Sequence, residues 1–395
     1  MKEKIQREAN SIFRKVVAIR RDLHQNPELS YEEKRTARVV AETLKSLGLD
    51  VHTGVAKTGV IGTVEGKRSR PVVALRADMD ALSMREQNRV PYRSRVPGKM
   101  HACGHDVHTS NVLGAAMILS RMTHVLDGAV KFVFEPSEER NPGGASLMLK
   151  EGVVDDIDAI FGLHVYTRSD AGTLGFRAGA MMAAADELFI KIKGKGGHGA
   201  RPQNTVDPIV LASEVVLALQ TVVSRGLNPF QPVVLTIGKI EGGTAQNIIP
   251  DEVRLEGTLR TVEAQTRKKA HELVRRTIAG LCAAAGAAFD LVINRGNPPL
   301  INHLSETEFA RGRAVEYVGR RNVFEADQVM GGESFAYFLE RVPGTFFRLG
   351  VANKKKGIVH DVHTSLFDVD EEAMRTGTGF FAYLAYEYLR QAGER

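Results

Sequence analysis

The sequence predicts an α/β protein of two domains, and three observations carry that prediction. The chain has 395 residues, 43% of them apolar, more than one compact unit usually holds. Up to about Ala185, and again after Asn302, helix-like and short strand-like runs follow one another, the pattern of a mainly parallel sheet covered by helices. Between these stretches the order strand, helix, strand, strand, helix, strand is that of a ferredoxin-like unit. The expected organisation is a discontinuous domain of residues 1–185 and 300–395, interrupted by an inserted domain of residues 186–299.

Ile5, Ala9, Ile12, Phe13 and Val16 share one face of a first helix. Ser30, with Glu33 three residues on, reads as a capping box that opens a second helix, which Gly48 stops. "GVIGTVEG" and "PVVALRADMDA" are strands, "TSNVLGAAMILSRM" is a helix, and "GAVKFVFEPSEE" and "AIFGLHVY" are strands. In the insertion, "DELFIKIKGKG" alternates like a half-buried strand, "DPIVLASEVVLALQTVVSR" is a helix, and "PVVLTIGKIEGG" and "EVRLEGTLRTV" are strands. "EAQTRKKAHELVRRTIAGLCAAAG" and "AFDLVINRG" complete the unit, and "DEEAMRTGTGFFAYLAYEYLRQ" closes the chain as an amphipathic helix.

Composition narrows the function. The N-terminal "MKEKIQREANSIFRKVV" carries charges where a secretory signal needs an apolar run, and no later stretch is expected to reach the length of a membrane span, so a cytoplasmic protein without a membrane partner is predicted. Cys103 and Cys282 are too few and too far apart for a disulfide framework, and "GLCAAAGAA" places Cys282 in a packed helix. The net charge is +6, but its basic runs are short and mixed with acids, and no aromatic residues interleave with a basic stripe, which argues against nucleic acid.

The chemistry gathers at the ends of predicted strands: "RADMDAL" (76–82), "MHACGHDVH" (100–108), "FEPSEE" (134–139) and "GLHV" (162–165), joined by "VHDVHTSLFD" (359–368) from the far end of the chain. In a parallel sheet such ends converge on one edge, where ligands bind. Cysteine thiolate, neutral histidine and carboxylate are the main protein ligands of transition metals. Cys103 and His105 with a carboxylate and further histidines would serve one or two divalent ions, and the absence of zinc-finger spacing points to catalysis. The adjacent Glu138 and Glu139 suit a division between proton handling and metal binding.

These segments, together with "IRRDLHQNPELSYEE", "GKGGHGARP", "GGTAQNIIPD" and "VHTSLFDVDEEA", resemble in order the motif series of the metal-dependent amidohydrolases that include hippurate hydrolases, N-acetyldiaminopimelate deacetylases and plant auxin-conjugate hydrolases. The resemblance implies a zinc-exopeptidase-like catalytic domain in which Cys103, His105, Glu139, His164 and His363 hold two divalent ions, with the Cys103 thiolate bridging. Zinc, manganese, nickel and cobalt all remain open. It further implies Glu138 as general base and then acid, Asp80 as the carboxylate that orients a ligand, with Asp78 competing for that role, and His198 as an oxyanion donor reaching the substrate, often across a dimer formed by the inserted domain. Asn247 and Arg260 are the implied substrate contacts.

The chain departs from the common pattern at Gln203, where many relatives have histidine, at Ser83, where proline is usual, and at Ser334, where aspartate follows the glutamate. The implied reaction is hydrolysis of the amide bond of an N-acyl amino acid. The alternatives are a carboxypeptidase acting on short peptides and a non-catalytic binding protein of the same fold.

Overall fold

The computed structural model describes residues 1–393. It separates into two compact units, one of residues 1–179, 301–327 and 334–395, the other of residues 180–300 and 328–333.

The first unit is built on an eight-stranded sheet in the order Asp50–Val55, Gly59–Glu65, Ala129–Glu135, Val72–Asp78, Ala159–Asp170, Gly344–Ala352, Leu174–Phe176, Val323–Glu325. Its centre is parallel: Val72–Asp78 runs parallel to both its neighbours, and Ala159–Asp170 runs parallel to Gly344–Ala352. The antiparallel pairings lie towards the flanks. Every residue of Val72–Asp78 and of Gly344–Ala352 is buried. Side chains alternate between the two faces of a strand, so both faces of the centre are covered.

The helix His105–Leu119 is buried over its whole length and packs against Lys2–Gln25, Ala373–Gly393 and the central strand Val72–Asp78. It starts four residues before the predicted Thr109, and that difference turns His105 and His108 into residues of its first turn. Gly104 makes the start possible. Its φ is +86°, and a Cβ there would lie 2.5 Å from Val165 Cγ2, so glycine is required both for the turn and for the close approach.

One element lacks a local signal, and one local expectation gives way to tertiary contacts. The first strand, Asp50–Val55, has a mostly exposed pattern and no apolar signal of its own. Ser30 and Glu33 do not form a capping box: Ser30 Oγ donates to Asp80 Oδ2 at 2.6 Å, and Glu33 accepts from Ser137 N and Thr58 Oγ1. The helix Lys34–Ser46 is held instead by Glu28, whose carboxylate accepts from Arg35 N and Thr36 N at 2.9 and 2.8 Å. Glu28 satisfies first-turn amides from outside the helix, a geometry that a local motif cannot reveal.

The second unit carries a four-stranded antiparallel sheet in the order Val233–Gly242, Glu252–Thr261, Ala184–Lys193, Ala288–Arg295. Helices Pro208–Thr221 and Ala264–Ala285 pack together over it, around Leu188, Ile190, Val215, Leu255 and Val274. Cys282 is buried in this core. One expectation needs correction. Among the described residues, Pro208–Gly226, with mean hydropathy 1.5, is long and apolar enough to cross a membrane by length and composition. Its Leu211, Ala212, Val215, Leu219 and Val222 are spent on the core of this unit, while Ile209, Val210 and Leu217 are exposed.

Candidate metal centre

The parallel register aligns Asp78 with Glu135 at the carboxyl ends of adjacent strands, and Asp80, Glu138 and Glu139 follow within a few residues. His164 stands in the next strand, in register with Arg348. His363 comes from the loop beyond Gly344–Ala352, held by a hydrogen bond from its own N–H to Ala102 O at 2.7 Å. Its φ is +60°, and Ser137 beside the paired glutamates has φ +53°. Both are costly for residues with a Cβ, and both aim a functional side chain or turn.

Cys103 lies at the middle of the cluster. His164 Nε2 and His363 Nε2 each stand 3.3 Å from its Sγ. Glu139 Oε1 is 3.2 Å from His363 Nε2 and 3.9 Å from His105 Nε2. Two ligand triads therefore meet on one sulfur: Cys103, His105 and His164 on one side, and Cys103, Glu139 and His363 on the other. The five residues expected to hold metal are brought together.

Of the histidines in "MHACGHDVH", only His105 is in position to serve. His108 Nδ1 is 2.6 Å from Asp78 Oδ1, while its Nε2 accepts the Val165 N–H at 3.0 Å, so both ring nitrogens are engaged. Asp78, His105 and His108 are close enough to form a further ligand group, but the Val165 amide already occupies the lone pair that His108 would need. His101 is buried outside every such group, and burial pushes its pKa down to about 4.

The residues fit a divalent cation. His105 Nε2 is buried at the centre of the cluster without a hydrogen-bond partner, which is costly for a polar atom unless a ligand satisfies it. Burial, reinforced by the Glu139 carboxylate, pushes the Cys103 thiol well above its ordinary value, so its thiolate needs a positive charge beside it. Burial, then the neighbouring His108 and Arg348, hold His164 well below the usual histidine range, in the neutral form that ligates metal. Its Nδ1 bonds Val165 O at 2.8 Å and leaves Nε2 towards the sulfur.

Asp78 and Asp80 differ in their contacts. Asp80 receives Glu138 N and Glu139 N at 3.0 Å on its two oxygens and Ser30 Oγ on one of them, and His105 Nδ1 lies 3.2 Å from Oδ1 and 2.8 Å from the Asp80 carbonyl. One carboxylate thus aims His105 and fixes the backbone of both glutamates. Asp78 is bound to Arg76 and His108, and its Oδ2 lies 3.7 Å from His105 Nε2.

Ser334, noted only as a departure in sequence, belongs to the site. Its N–H donates to Glu138 Oε1 at 3.0 Å, and its hydroxyl donates to Glu135 Oε1 at 2.6 Å and accepts from Arg76 Nη2 at 3.0 Å. Only the return of the chain after residue 333 reveals this contact.

In the second unit, His198 and Ile248 are paired in a short ribbon, with Gly199 N donating to Asn247 O at 2.8 Å, so His198 and Asn247 are neighbours. Ala200 N–H donates to His198 Nδ1 at 3.0 Å, which places the ring proton on Nε2. Arg260 lies in the strand Glu252–Thr261, in register with Ala185 and Val234.

A ligand set of thiol, imidazole and carboxylate at the carboxyl edge of a mainly parallel sheet defines an α/β metallohydrolase. The chain belongs to peptidase family M20/M25/M40, whose family model matches residues 74–387. It is similar to the N-acetyl-L-cysteine deacetylase of Bacillus subtilis, with 39% identity covering 98% of this chain and 90% of that one. It is similar too to thermostable carboxypeptidase 2 of Saccharolobus solfataricus, with 37% identity covering 98% of both. Among solved structures it resembles the Bacillus subtilis YXEP protein, a dinuclear metal binding peptidase of the M20 family, with TM-score 0.85 and 34% identity over 96% of this chain and 99% of that one.

Proposed function

We propose that the protein is a metal-dependent amidohydrolase that cleaves the amide bond of N-acyl amino acids. The observation that carries this reading is Cys103, one sulfur common to two ligand triads, with Glu138 beside them. Cys103, His105, Glu139, His164 and His363 would hold two divalent ions, of which zinc, manganese, nickel and cobalt are all compatible with a thiolate and imidazole set. When bound, such ions acidify water and polarise the acyl carbonyl.

The chain's own groups supply the rest. Glu138 takes the proton of the attacking water and returns it to the leaving nitrogen, and the Ser334 N–H on its Oε1 keeps the carboxylate oriented for both transfers. Asp80 holds the peptide of Glu138 and Glu139 and the ring of His105, so the base and the ligands keep their spacing. The family resemblance implies His198 as the oxyanion donor, often acting across a dimer, and Asn247 and Arg260 as substrate contacts. The similarity to an N-acetyl-L-cysteine deacetylase supports an acylated amino acid as substrate. The similarity to a carboxypeptidase supports a second reading, cleavage of short peptides at the same centre.

The catalytic unit and the inserted unit are read as one cytoplasmic enzyme that dimerises through the insertion. The strand Val233–Gly242 lies at one edge of its sheet, and Leu217, Val210, Ile240 and Val234 expose apolar surface. Such an edge is commonly covered. Light scattering should report a dimer that Leu217→Asp shifts towards monomer. A monomer in the unsubstituted protein sinks the dimer.

The functional test is amino-acid release from a panel of N-acetyl, N-benzoyl and indoleacetyl amino acids and dipeptides by metal-stripped protein resupplied with each ion in turn. Release confined to dipeptides favours the carboxypeptidase reading. No release with metal bound moves weight to a substrate outside the panel or to the non-catalytic reading.

A further inference from the structure

The ligands and the base leave unexplained a second polar cluster buried in the first unit. Arg20, on the helix Lys2–Gln25, is fully buried, an unusual place for a guanidinium. Its Nε donates to Asp106 Oδ2 at 2.8 Å, its Nη2 to Asp368 Oδ1 at 3.1 Å and its Nη1 to Glu371 Oε1 at 3.2 Å. The Tyr92 ring lies 4.6 Å from its Cζ, and the Tyr92 hydroxyl donates to Asp368 Oδ2 at 2.7 Å. His24, one turn along the helix, places Nδ1 2.8 Å from the same oxygen of Asp106.

The positions of these acids matter more than their number. Asp106 follows His105 directly and comes just after Cys103, while Asp368 and Glu371 lie just past His363. One side chain therefore ties together the two segments that bring Cys103 and His363 to 3.3 Å of each other.

We propose that Arg20 is a positioning residue of the metal centre, a planar fork that holds the 103–106 and 363–371 segments in the register in which Cys103 and His363 share an ion. The proposal rests on the metal-centre reading above. A guanidinium presents its N–H groups in one rigid plane and so fixes three carboxylates at once, which a lysine ammonium, a point charge on a flexible stem, does not. Holding the fold alone gives a weak reason for this arrangement, because well-packed apolar residues commonly stabilise as much as a buried charge cluster or more. A ligand set is more demanding, since it tolerates only about 0.5 Å of displacement.

The test compares Arg20→Lys and Asp368→Asn with Val16→Ala, a core truncation on the same helix that touches no acid of the cluster. Metal-stripped proteins are titrated with cobalt(II), followed by calorimetry and by the thiolate-to-cobalt absorption, and thermal unfolding is recorded in parallel. Arg20→Lys and Asp368→Asn should weaken cobalt binding about 10- to 100-fold, the usual cost of losing a group that orients a ligand. Val16→Ala should lower the melting temperature and leave cobalt affinity unchanged. If Arg20→Lys fails to fold, Asp368→Asn keeps the test, because it removes one arm at a partly exposed carboxylate. Cobalt affinity equal to that of the unsubstituted protein in the folded variants would make Arg20 a support of the fold alone and overturn the proposal. Absence of cobalt binding by the unsubstituted protein is a different result, and it would remove the metal-centre reading itself.

Discussion

His363 Nε2 lies 3.3 Å from Cys103 Sγ, although 260 positions separate the two residues. Since Cys103 is common to both triads, its loss should affect both ions rather than one. Cys103→Ala is expected to lower bound metal from about two ions per chain to one or fewer, measured by elemental analysis after gel filtration. Full occupancy in the variant would remove the sulfur from the centre.

Glu138 is held by its backbone to Asp80 and by its carboxylate to the Ser334 amide. Glu138→Gln keeps the shape and an acceptor oxygen but loses the proton-accepting group. Turnover should fall by about 10²- to 10⁴-fold, the range that general acid–base catalysis usually contributes, with metal content and melting temperature retained. Activity within a few-fold of the unsubstituted protein would assign the proton to another group.

Ser30 acts from outside the strand-end segments that carry the ligands, through one hydrogen bond to Asp80 Oδ2. Ser30→Ala should cost about 1 kcal/mol of stability and reduce turnover less than tenfold. Asp80→Asn should do more, weakening metal binding by about 10- to 100-fold, because it disturbs the orientation of His105 as well as the amides of Glu138 and Glu139. Equal effects of the two substitutions in a calorimetric metal titration would count against the ordering.

The second unit should be acid-sensitive at Asp186. Burial opposes its ionisation, but hydrogen bonds from Arg267 and His271 outweigh burial and hold the carboxyl down at about 2. A carboxyl depressed on folding stabilises the native state above its unfolded pKa and loses that contribution as pH falls through its folded value. The contribution, about 1 to 2 kcal/mol after allowance for partial screening, should be complete above roughly pH 5 and fade between pH 4 and 2. Urea unfolding of the unsubstituted protein and Asp186→Asn across this window should show the difference between them shrinking with acid. A pH-independent difference would mean that the carboxylate is not held by charge.

The α/β pattern of the first unit was legible in the sequence because buried strands such as "VVALRAD" and "FVFE" are apolar where helices cover them, and the succession of strands and helices in the second unit follows from alternation and turns. The ligand candidates were legible for a chemical reason: cysteine, histidine and paired acids at strand ends are rarely all present by accident. The helix start at His105 was not, since it depends on Gly104 packing against Val165. The capping box failed because Ser30 and Glu33 have better partners in Asp80, Ser137 and Thr58 than in their own helix. The apolar length of Pro208–Gly226 escaped notice for the opposite reason: its alternating buried and exposed faces made it read as an ordinary helix.

By itself the sequence determined the residue types that can hold metal and move protons, and the periodicities that put them on strand ends. These depend on local chemistry and on side-chain period. Only the tertiary structure decided which histidine of "MHACGHDVH" keeps a nitrogen available, that Asp80 holds the other nitrogen of its ring, that Ser334 reaches Glu138, and that Arg20 ties the Cys103 and His363 segments together. Each of these is a contact between residues distant in the chain. Burial decides them, because a polar group removed from water must find its partner wherever the fold places one.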